Sequence, residues 1–417
     1  MLAPYWRLLR NNRNYRLLWI AQLISELGDW FYALAVYDLL LSLTGNSAQA
    51  VALAVVLQVL PHTLAAPASG VLNDRLSRRT IMIAADIARV FIVLGMLLVR
   101  TPGMVWLVYP LLLVETAGAA FFDPAHSAVI PNIVAESDLL AANALGSITW
   151  SFCLSTGAAL GGVTAVFLGR DAVFALNAVS FLASAWLIRR MRFCEPHTEG
   201  MPPLCRKDLV NFRPVLEGVR YIRRDRRLLA TIFVKFGMGL LGANNVLLPV
   251  LGERVFPVKL AGMDPARGAM LGMSLLMGAR GAGSLIGPVA ASWWAGERDW
   301  RLRLGILASF GMAAAGYLWL GGVTGLAIAM AAVLLAHAGS SINWVFSTTL
   351  LQSYTEDRFR GRVFAADTGL LTLGIAGSSY LAGVAIDAGV APREIATALG
   401  LVMIIPGAAW AIIMSRK

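Results

Sequence analysis

Apolar residues in this sequence fall into long runs separated by short polar segments. A run of about 20 residues crosses the roughly 30 Å hydrocarbon layer of a membrane as a helix. The pattern therefore predicts an all-α integral membrane protein with twelve transmembrane helices. The predicted spans are 17–43, 49–72, 80–100, 103–122, 138–168, 170–190, 228–253, 268–294, 302–321, 324–352, 364–387 and 394–414.

The lysines and arginines are distributed unevenly among the polar segments. They concentrate in every second segment, except 123–137, which has none, and at both ends of the chain. Cytoplasmic segments carry the excess of basic residues in membrane proteins, so both termini are predicted to be cytoplasmic. The longest interruption, 191–227, is a predicted linker between an N-terminal six-helix bundle (1–190) and a C-terminal one (228–417). Apolar positions among its arginines indicate either a helix lying on the membrane surface or ordinary loop charge.

Composition supports a membrane protein and excludes several other classes. The chain is 58% hydrophobic and 14% charged, whereas soluble domains are about 45–50% apolar and about 25% charged. The net charge of +11 is spread over short segments, which argues against a nucleic-acid partner. We find no nucleotide-binding loop or hydrolase motif. Cys194, His197 and Cys205 supply only three of the four ligands that a structural zinc site requires. No catalytic residues and no metal are therefore predicted.

A polar turn between the second and third predicted spans contains the most specific motif. Residues 70–79 read Gly-Val-Leu-Asn-Asp-Arg-Leu-Ser-Arg-Arg. This motif resembles the G-x-x-x-D-R-x-G-R-R signature of the major facilitator superfamily, with Ser77 at the usual position of the second glycine. The resemblance implies two pseudo-symmetric six-helix bundles and a transport function. It also implies a cytoplasmic gate formed by Gly70, Asp74, Arg75, Arg78 and Arg79.

Further segments resemble the bacterial branch of this superfamily that contains macrolide-efflux pumps and the enterobactin exporter. They are Gly28-Asp29, residues 124–131 with 139–143, and residues 360–365. In the fifth span, Gly157, Gly161 and Gly162 resemble the G-P-x-x-G-G core of the antiporter motif, with an alanine in place of its proline. Glycines at this spacing also serve as ordinary helix-packing residues, so both interpretations stay open.

Charged residues inside the predicted spans are candidates for transport chemistry, because a charge in hydrocarbon needs a partner or a water-filled cavity. Asp29 lies near the middle of the first span, one turn after Glu26. Two neighbouring carboxylates repel each other, which favours proton binding, so both are proton-coupling candidates. A static ion pair of Asp29 with Arg280 or Lys235 is the alternative.

Other intramembrane residues are assigned to a substrate cavity or to structure. Asp86 and Arg89, three residues apart in the third span, are predicted to form a structural pair. Asp367, early in the eleventh span, is predicted to be an interfacial cap. The candidates for the wall of a substrate cavity are Glu115, Arg280, Lys235, Trp30 and Trp344.

Together these features predict a secondary transporter of the cell inner membrane. We expect a monomer that exports a small amphipathic molecule, such as a drug-like compound or a siderophore, in exchange for protons by alternating access. Its partners are this substrate and the lipid bilayer, and the proton gradient replaces any cofactor. Lysophospholipid or lipid transport and uniport are alternatives within the same fold. An intramembrane enzyme is the alternative from another class.

Overall fold

The computed structural model describes residues 3–135, 138–195, 220–259, 264–295, 298–355 and 360–415. Every regular element in these ranges is a helix, which confirms the predicted all-α class. The structure divides into two compact units. The first unit comprises Met1–Val36 and Leu64–Asn211, and the second comprises Tyr37–Thr63 and Phe212–Lys417.

The first unit is built on helices α1 to α7, with α2 and α3 each continuing into the second unit. Short 3-10 segments at Met96–Leu98 and Pro102–Leu107 connect α4 to α5. The helices are α1 (Ala3–Asn11), α2 (Arg13–Leu43), α3 (Ala48–Arg75), α4 (Arg78–Gly95), α5 (Val108–Ile133), α6 (Leu139–Leu168) and α7 (Arg170–Arg189).

Helix α5 is longer than the predicted fourth span, which ended at residue 122. The helix continues through Pro124 to Ile133. Proline has no backbone N–H, so Pro124 leaves the carbonyl of Ala120 without its usual helical donor. The buried Ser69 hydroxyl of α3 donates to this carbonyl at 2.8 Å. A tertiary hydrogen bond thus compensates for the proline, and the predicted loop is wrong over 123–133.

The core of the first unit lies where α2, α4, α5 and α7 meet. Met82, Val129 and Ile188 are fully buried in this cluster. Tyr15 at the start of α2 is also buried, and its hydroxyl donates to the carbonyl of Ala142 at 2.7 Å. The phenol is therefore satisfied while its ring packs in the apolar cluster.

The second unit is built on helices α8 to α14 together with Tyr37–Thr63. Within it, α11 packs against both α12 and α14, and α10 packs against α12. The helices are α8 (Arg226–Gly239), α9 (Asn244–Arg254), α10 (Pro265–Ala295), α11 (Asp299–Gly322), α12 (Leu326–Tyr354), α13 (Arg360–Asp387) and α14 (Pro392–Ser415).

The predicted seventh span is interrupted at its centre. A 3-10 segment, Leu240–Ala243, separates α8 from α9. At Gly242 a side-chain Cβ would lie 2.5 Å from the Cα of Ile375 in α13, so only glycine permits this approach of the two backbones. The Ser379 hydroxyl donates to the Gly242 carbonyl at 2.8 Å. Irregular backbone inside the membrane is tolerated here because protein groups satisfy it.

Asp387 at the end of α13 caps the N-terminus of α3. Its carboxylate accepts hydrogen bonds from the backbone N–H groups of Ala48 at 2.8 Å and Gln49 at 2.9 Å, and from the Ser47 hydroxyl at 2.6 Å. A carboxylate at a helix N-terminus satisfies otherwise unpaired donors and interacts favourably with the helix dipole. This cap joins α3 to α13 inside the second unit.

Eleven helices in the described part of the chain are long and apolar enough to cross a membrane. They correspond to the predicted spans from the second to the twelfth. The first predicted span, in the 31-residue helix α2, has the required length, but Glu26, Asp29 and Asp38 lower its hydropathy. Large apolar side chains such as Phe91 (71% exposed) and Phe167 (75% exposed) point outward, as lipid-facing residues do.

The number of spans, the cytoplasmic termini and the division into two six-helix bundles stay predictions. Most of the predicted linker 191–227 lies outside the described residues. A surface helix was predicted from four apolar positions, of which Val215, Leu216 and Val219 also lie outside them. The fourth, Ile222, is buried in an apolar cluster with Leu228 and Ile232.

Candidate functional site

A buried charged cluster centred on Arg89 lies in the first unit. The Arg89 guanidinium donates from Nη2 to Asp29 of α2 at 2.8 Å and from Nε to Glu115 of α5 at 2.9 Å. Asp86, one turn earlier on α4, is 3.9 Å from Nη1. One guanidinium therefore joins three carboxylates from three helices. We call these four residues the Arg89 cluster.

The surroundings of Arg89 fix its side chain. Arg89 is 4% exposed, and its guanidinium carbon stacks 3.9 Å from the ring centroid of Phe181 in α7. At Gly118 in α5, an added Cβ would lie 3.1 Å from the Arg89 Cγ. The absence of a side chain at Gly118 thus leaves room for the arginine between α4 and α5.

The cluster carries more carboxylates than cations. With all groups ionised its net charge is −2, and low dielectric surroundings make such an excess costly. The three acids differ in the exposed fraction of their side chains. The side chain of Asp29 is 35% exposed, whereas those of Glu115 and Asp86 are 9% and 0% exposed. Asp29 thus has the most exposed side chain of the three acids, although its Oδ1 is enclosed and has no hydrogen-bond partner among the described residues.

Glu26 lies one turn before Asp29 on α2. Its Oε1 accepts a hydrogen bond from the Gln22 amide at 2.8 Å. Its Oε2 is buried and has no hydrogen-bond partner among the described residues. The two proton-coupling candidates are therefore neighbours on one helix, and the ion-pair partner of Asp29 is Arg89 rather than Arg280 or Lys235.

The sequence did not identify Arg89 as the centre of a site. Asp86 lies three residues away on the same helix, so an ion pair between these two residues was sufficient to account for the charge of Arg89. The closer partners, Asp29 and Glu115, are 60 and 26 residues distant along the chain. The sequence feature that could have predicted this cluster is the presence of two acids and one arginine near the middle of three different predicted spans.

The second unit holds a separate buried ion pair. The Lys235 ammonium of α8 donates to Asp367 of α13 at 2.6 Å, and both side chains are 3% exposed. The ammonium also lies 4.7 Å from the ring centroid of Trp344. Lys235 consequently does not present an unpaired charge to a substrate. Asp367 is a buried partner of Lys235, so its prediction as an interfacial cap is wrong.

Arg280 of α10 is bound differently. Its Nη1 donates to the Asn245 side-chain oxygen of α9 at 2.7 Å. No carboxylate of the described residues lies within ion-pair distance of it. Arg280 thus keeps its charge unneutralised in the middle of a helix, and Asn245 is a contact that the sequence pattern did not reveal.

The two candidate tryptophans have different neighbours. Trp30 packs edge to face against Trp150 of α6, with ring centroids 6.4 Å apart. Trp344 is 52% exposed and covers the Lys235 ammonium with its ring. Each tryptophan offers an aromatic surface within its own unit.

The predicted gate motif is described only in part. The side chains of Gly70, Asp74 and Arg75 lie outside the described ones. Arg78 donates to the Ala128 carbonyl at 2.8 Å, and Arg79 donates to the Arg189 carbonyl. Both arginines thus attach the start of α4 to the ends of neighbouring helices.

Ser77, at the motif's glycine position, is the N-cap of α4. Its φ of −59° is accessible to any residue, so glycine is not required. The Ser77 oxygen accepts from the Thr80 backbone N–H at 3.2 Å, and its hydroxyl donates to Glu195 at 2.5 Å. The departure from the motif therefore adds a helix cap.

Glycines in α6 allow a close approach to α2. An added Cβ at Gly157 would lie 2.7 Å from the Trp30 Cβ, and one at Gly161 would lie 2.8 Å from the Phe31 Cα. Gly162 is buried beside them. This contact holds the helix that carries Asp29 against α6.

No three His, Cys, Asp or Glu side chains of the described residues are grouped so that they hold a metal ion. The acids of the Arg89 cluster instead surround a guanidinium. Their geometry suits charge pairing and proton exchange.

Comparison with known proteins identifies the family. The family model of the Major Facilitator Superfamily matches residues 18–379. The chain belongs to the major facilitator superfamily. MFS-type transporter YfiS of Bacillus subtilis, itself uncharacterized, is 26% identical over 387 residues, covering 90% of this chain and 88% of YfiS. Macrolide efflux protein A of Streptococcus pyogenes is 26% identical over 367 residues, covering 85% of each chain.

Solved structures of other transporters share the fold of this major facilitator protein. A POT family transporter, crystallised with a thioalcohol-conjugated peptide, matches with a TM-score of 0.75 at 12% identity, covering 97% of this chain and 96% of the other. The nucleoside transporter NupG matches with a TM-score of 0.68 at 10% identity, covering 97% and 99%. The protein is therefore a multi-pass membrane transporter of the major facilitator fold and not an enzyme, which confirms these predictions.

Proposed function

We propose that this transporter exports a small amphipathic molecule across the cell inner membrane in exchange for protons, by alternating access. It acts as a monomer, with the proton gradient as its energy source and no cofactor. The observation that carries the proposal is the Arg89 cluster, in which three carboxylates share one buried guanidinium. The outward direction is supported by the name of a relative, macrolide efflux protein A, whose match covers 85% of this chain.

Protons enter the mechanism through the excess of carboxylates. Each proton that binds the cluster reduces its net negative charge by one, which lowers the cost of holding the acids in a medium of low dielectric constant. Asp29 exchanges this proton, because it is the most exposed of the three carboxylates. Glu26, one turn away, is a second proton acceptor, and its Oε2 has no hydrogen-bond partner in the described part of the chain.

Protonation of Asp29 changes the connection between helices. Asp29 is the α2 member of the cluster, whereas Glu115 belongs to α5 and Asp86 to α4 itself. A neutral Asp29 loses its ion pair with Arg89, which weakens the connection between α2 and α4 while the α4–α5 connection remains. A proton thus binds two arrangements of these helices with different affinity, which is the requirement for coupling.

The test is proton movement in inverted membrane vesicles that hold an imposed pH gradient. A chemically varied panel of amphipathic acids, amides and amines is added to wild type, to Asp29→Asn and to Glu26→Gln. We expect compound-triggered proton release in wild type and its loss in Asp29→Asn. The matched control is Asp171→Asn, the same change at an exposed ion pair with Arg100, which should leave release intact.

Other outcomes have distinct meanings. Release that persists in Asp29→Asn but disappears in Glu26→Gln would transfer the coupling role to Glu26. If no compound triggers proton release in the wild type, proton antiport would be rejected, and lipid transport or uniport would be favoured.

A further inference from the structure

Arg280 is a cation in a membrane-spanning helix that no carboxylate of the described residues neutralises. It lies in the middle of α10, inside the candidate span Pro265–Ala291. The two other cations that lie away from the ends of the predicted spans have acidic partners, since Arg89 contacts Asp29 and Glu115, and Lys235 contacts Asp367. Among the described residues, two of these interior cations are thus neutralised by acids and Arg280 is not.

The Arg280 guanidinium makes one hydrogen bond to the described residues, and the partner is a neutral amide. Nη1 donates to Asn245 at 2.7 Å. Nε and Nη2 make no hydrogen bond to described residues. Asn245 follows the 3-10 interruption of Leu240–Ala243, so the irregular segment positions the amide. Nη1 of the guanidinium is therefore held by Asn245, while Nε and Nη2 can donate hydrogen bonds to a ligand.

The groups around Arg280 are neutral. Tyr37 and Tyr317 lie near enough to interact with its charge, as does His337. The Tyr37 hydroxyl donates to the Gln58 side-chain oxygen at 2.7 Å. The Tyr317 oxygen lies 3.0 Å from the His337 Nε2. Tyr37 thus pairs with Gln58, and Tyr317 pairs with His337. None of these four side chains supplies a negative charge to Arg280.

Helices from several parts of the second unit contribute these neighbours, so Arg280 faces the interior of this unit. Tyr37 belongs to α2, Asn245 to α9, Tyr317 to α11 and His337 to α12. Gly283, one turn after Arg280, lies against the backbone of α12, where an added Cβ would be 2.3 Å from the Leu334 oxygen. An interior charge at this depth requires water or a ligand of opposite charge.

We propose that Arg280 binds an acidic group of the ligand, a carboxylate or a phosphate, and that Asn245 is the positioning residue for its guanidinium. The planar fork of arginine suits a two-oxygen acid group, which accepts from Nε and Nη2 together. This inference rests on the proposed function, because it assigns the substrate to amphipathic acids. A transported acid and an anionic lipid headgroup share this chemistry.

The first experiment measures binding without transport. Full-length protein in phosphatidylcholine nanodiscs is titrated with three matched pairs, each an acid and its amide: dansylglycine and dansylglycinamide, dansylphenylalanine and dansylphenylalaninamide, and 1-naphthylacetic acid and 1-naphthylacetamide. In wild type we expect at least one acid to bind about 10- to 100-fold more tightly than its amide. Arg280→Gln should abolish this preference, and Arg280→Lys should retain part of it. Arg100→Gln, at an exposed ion pair, is the matched control and should keep it.

The second arm separates the two sources of the acidic group. Phosphatidylglycerol is added to the nanodiscs in increasing fraction. Competition with the bound acid in wild type would show that a lipid headgroup also occupies Arg280. Unchanged acid affinity would assign the position to soluble acids. Both results support an acid site at Arg280, and they differ only in its natural occupant.

The inference is overturned if no acid binds wild type more tightly than its amide, or if the preference persists in Arg280→Gln. These results are independent of proton coupling. Loss of acid preference in Arg280→Gln without any proton release in vesicles would leave the acid site standing and reject antiport. Proton release that depends on Asp29, together with equal binding of acids and amides, would reject the acid site alone.

Discussion

Replacing Lys235 by methionine is expected to destabilise the protein by about 3–5 kcal/mol, because it leaves the Asp367 carboxylate buried without a counter-charge. Both side chains are 3% exposed, and the two charged atoms are 2.6 Å apart. At an effective dielectric constant of about 20, that separation corresponds to an attraction of about 6 kcal/mol. Desolvation of both ions offsets most of this attraction.

Removal of both charges of the Lys235–Asp367 pair is expected to cost much less stability than the sum of the two single substitutions. Asp367→Leu alone should also cost about 3–5 kcal/mol, since it strands the Lys235 ammonium. The double variant removes both charges, and its stability should lie within about 2 kcal/mol of wild type. The coupling free energy in a double-mutant cycle should therefore be about 4 kcal/mol or more.

The free energy of unfolding is measured by titrating the detergent-solubilised protein with sodium dodecyl sulfate and following tryptophan fluorescence. The control cycle uses Arg100 and Asp171, whose side chains are 56% and 52% exposed, and it should give a coupling below about 1 kcal/mol. Additive losses in the Lys235 and Asp367 variants would refute the reasoning, because they would show that neither charge depends on the other.

Three further substitutions test separate features of the structure. Arg89→Lys should reduce compound-triggered proton release in vesicles at least about tenfold, because a lysine ammonium lacks the fork that bonds two carboxylates; unchanged release would contradict the cluster geometry. Asp387→Ala should lower the unfolding free energy by about 1–2 kcal/mol through loss of the α3 cap, and an unaltered denaturation midpoint would argue against that cap. Gly161→Ala should destabilise by about 1–3 kcal/mol, since its Cβ would meet the α2 backbone at 2.8 Å. Gly311→Ala, with no atom within 4 Å of the added Cβ, is its matched control and should unfold like wild type.

The positions of most helices followed from the sequence alone. Whether a segment of about 20 residues is stable in hydrocarbon depends on its own composition, which is a local property. The predicted spans accordingly agree with α6 and α7 to within a residue at each boundary. The family resemblance was likewise recognised from short motifs, such as residues 70–79, whose residues are close together in the chain.

Local patterns failed where a distant group changed the outcome. Residues 123–133 contain two prolines and an aspartate, which favour a loop, yet Ser69 supplies the hydrogen bond that keeps α5 continuous. The break between α8 and α9 depends on contact with α13, which no periodicity within the seventh span contains.

The pairing of intramembrane charges was decided only by the tertiary structure. The sequence indicated that Asp29, Lys235 and Arg280 are expensive inside a membrane, because that cost belongs to each residue by itself. Whether a charge is neutralised depends on groups 26 to 132 residues away, which only the packing of helices brings within a few ångströms. The sequence therefore determined which residues need partners. Only the fold shows that Arg89 and Lys235 have them and that Arg280 has no acidic one among the residues the structure describes.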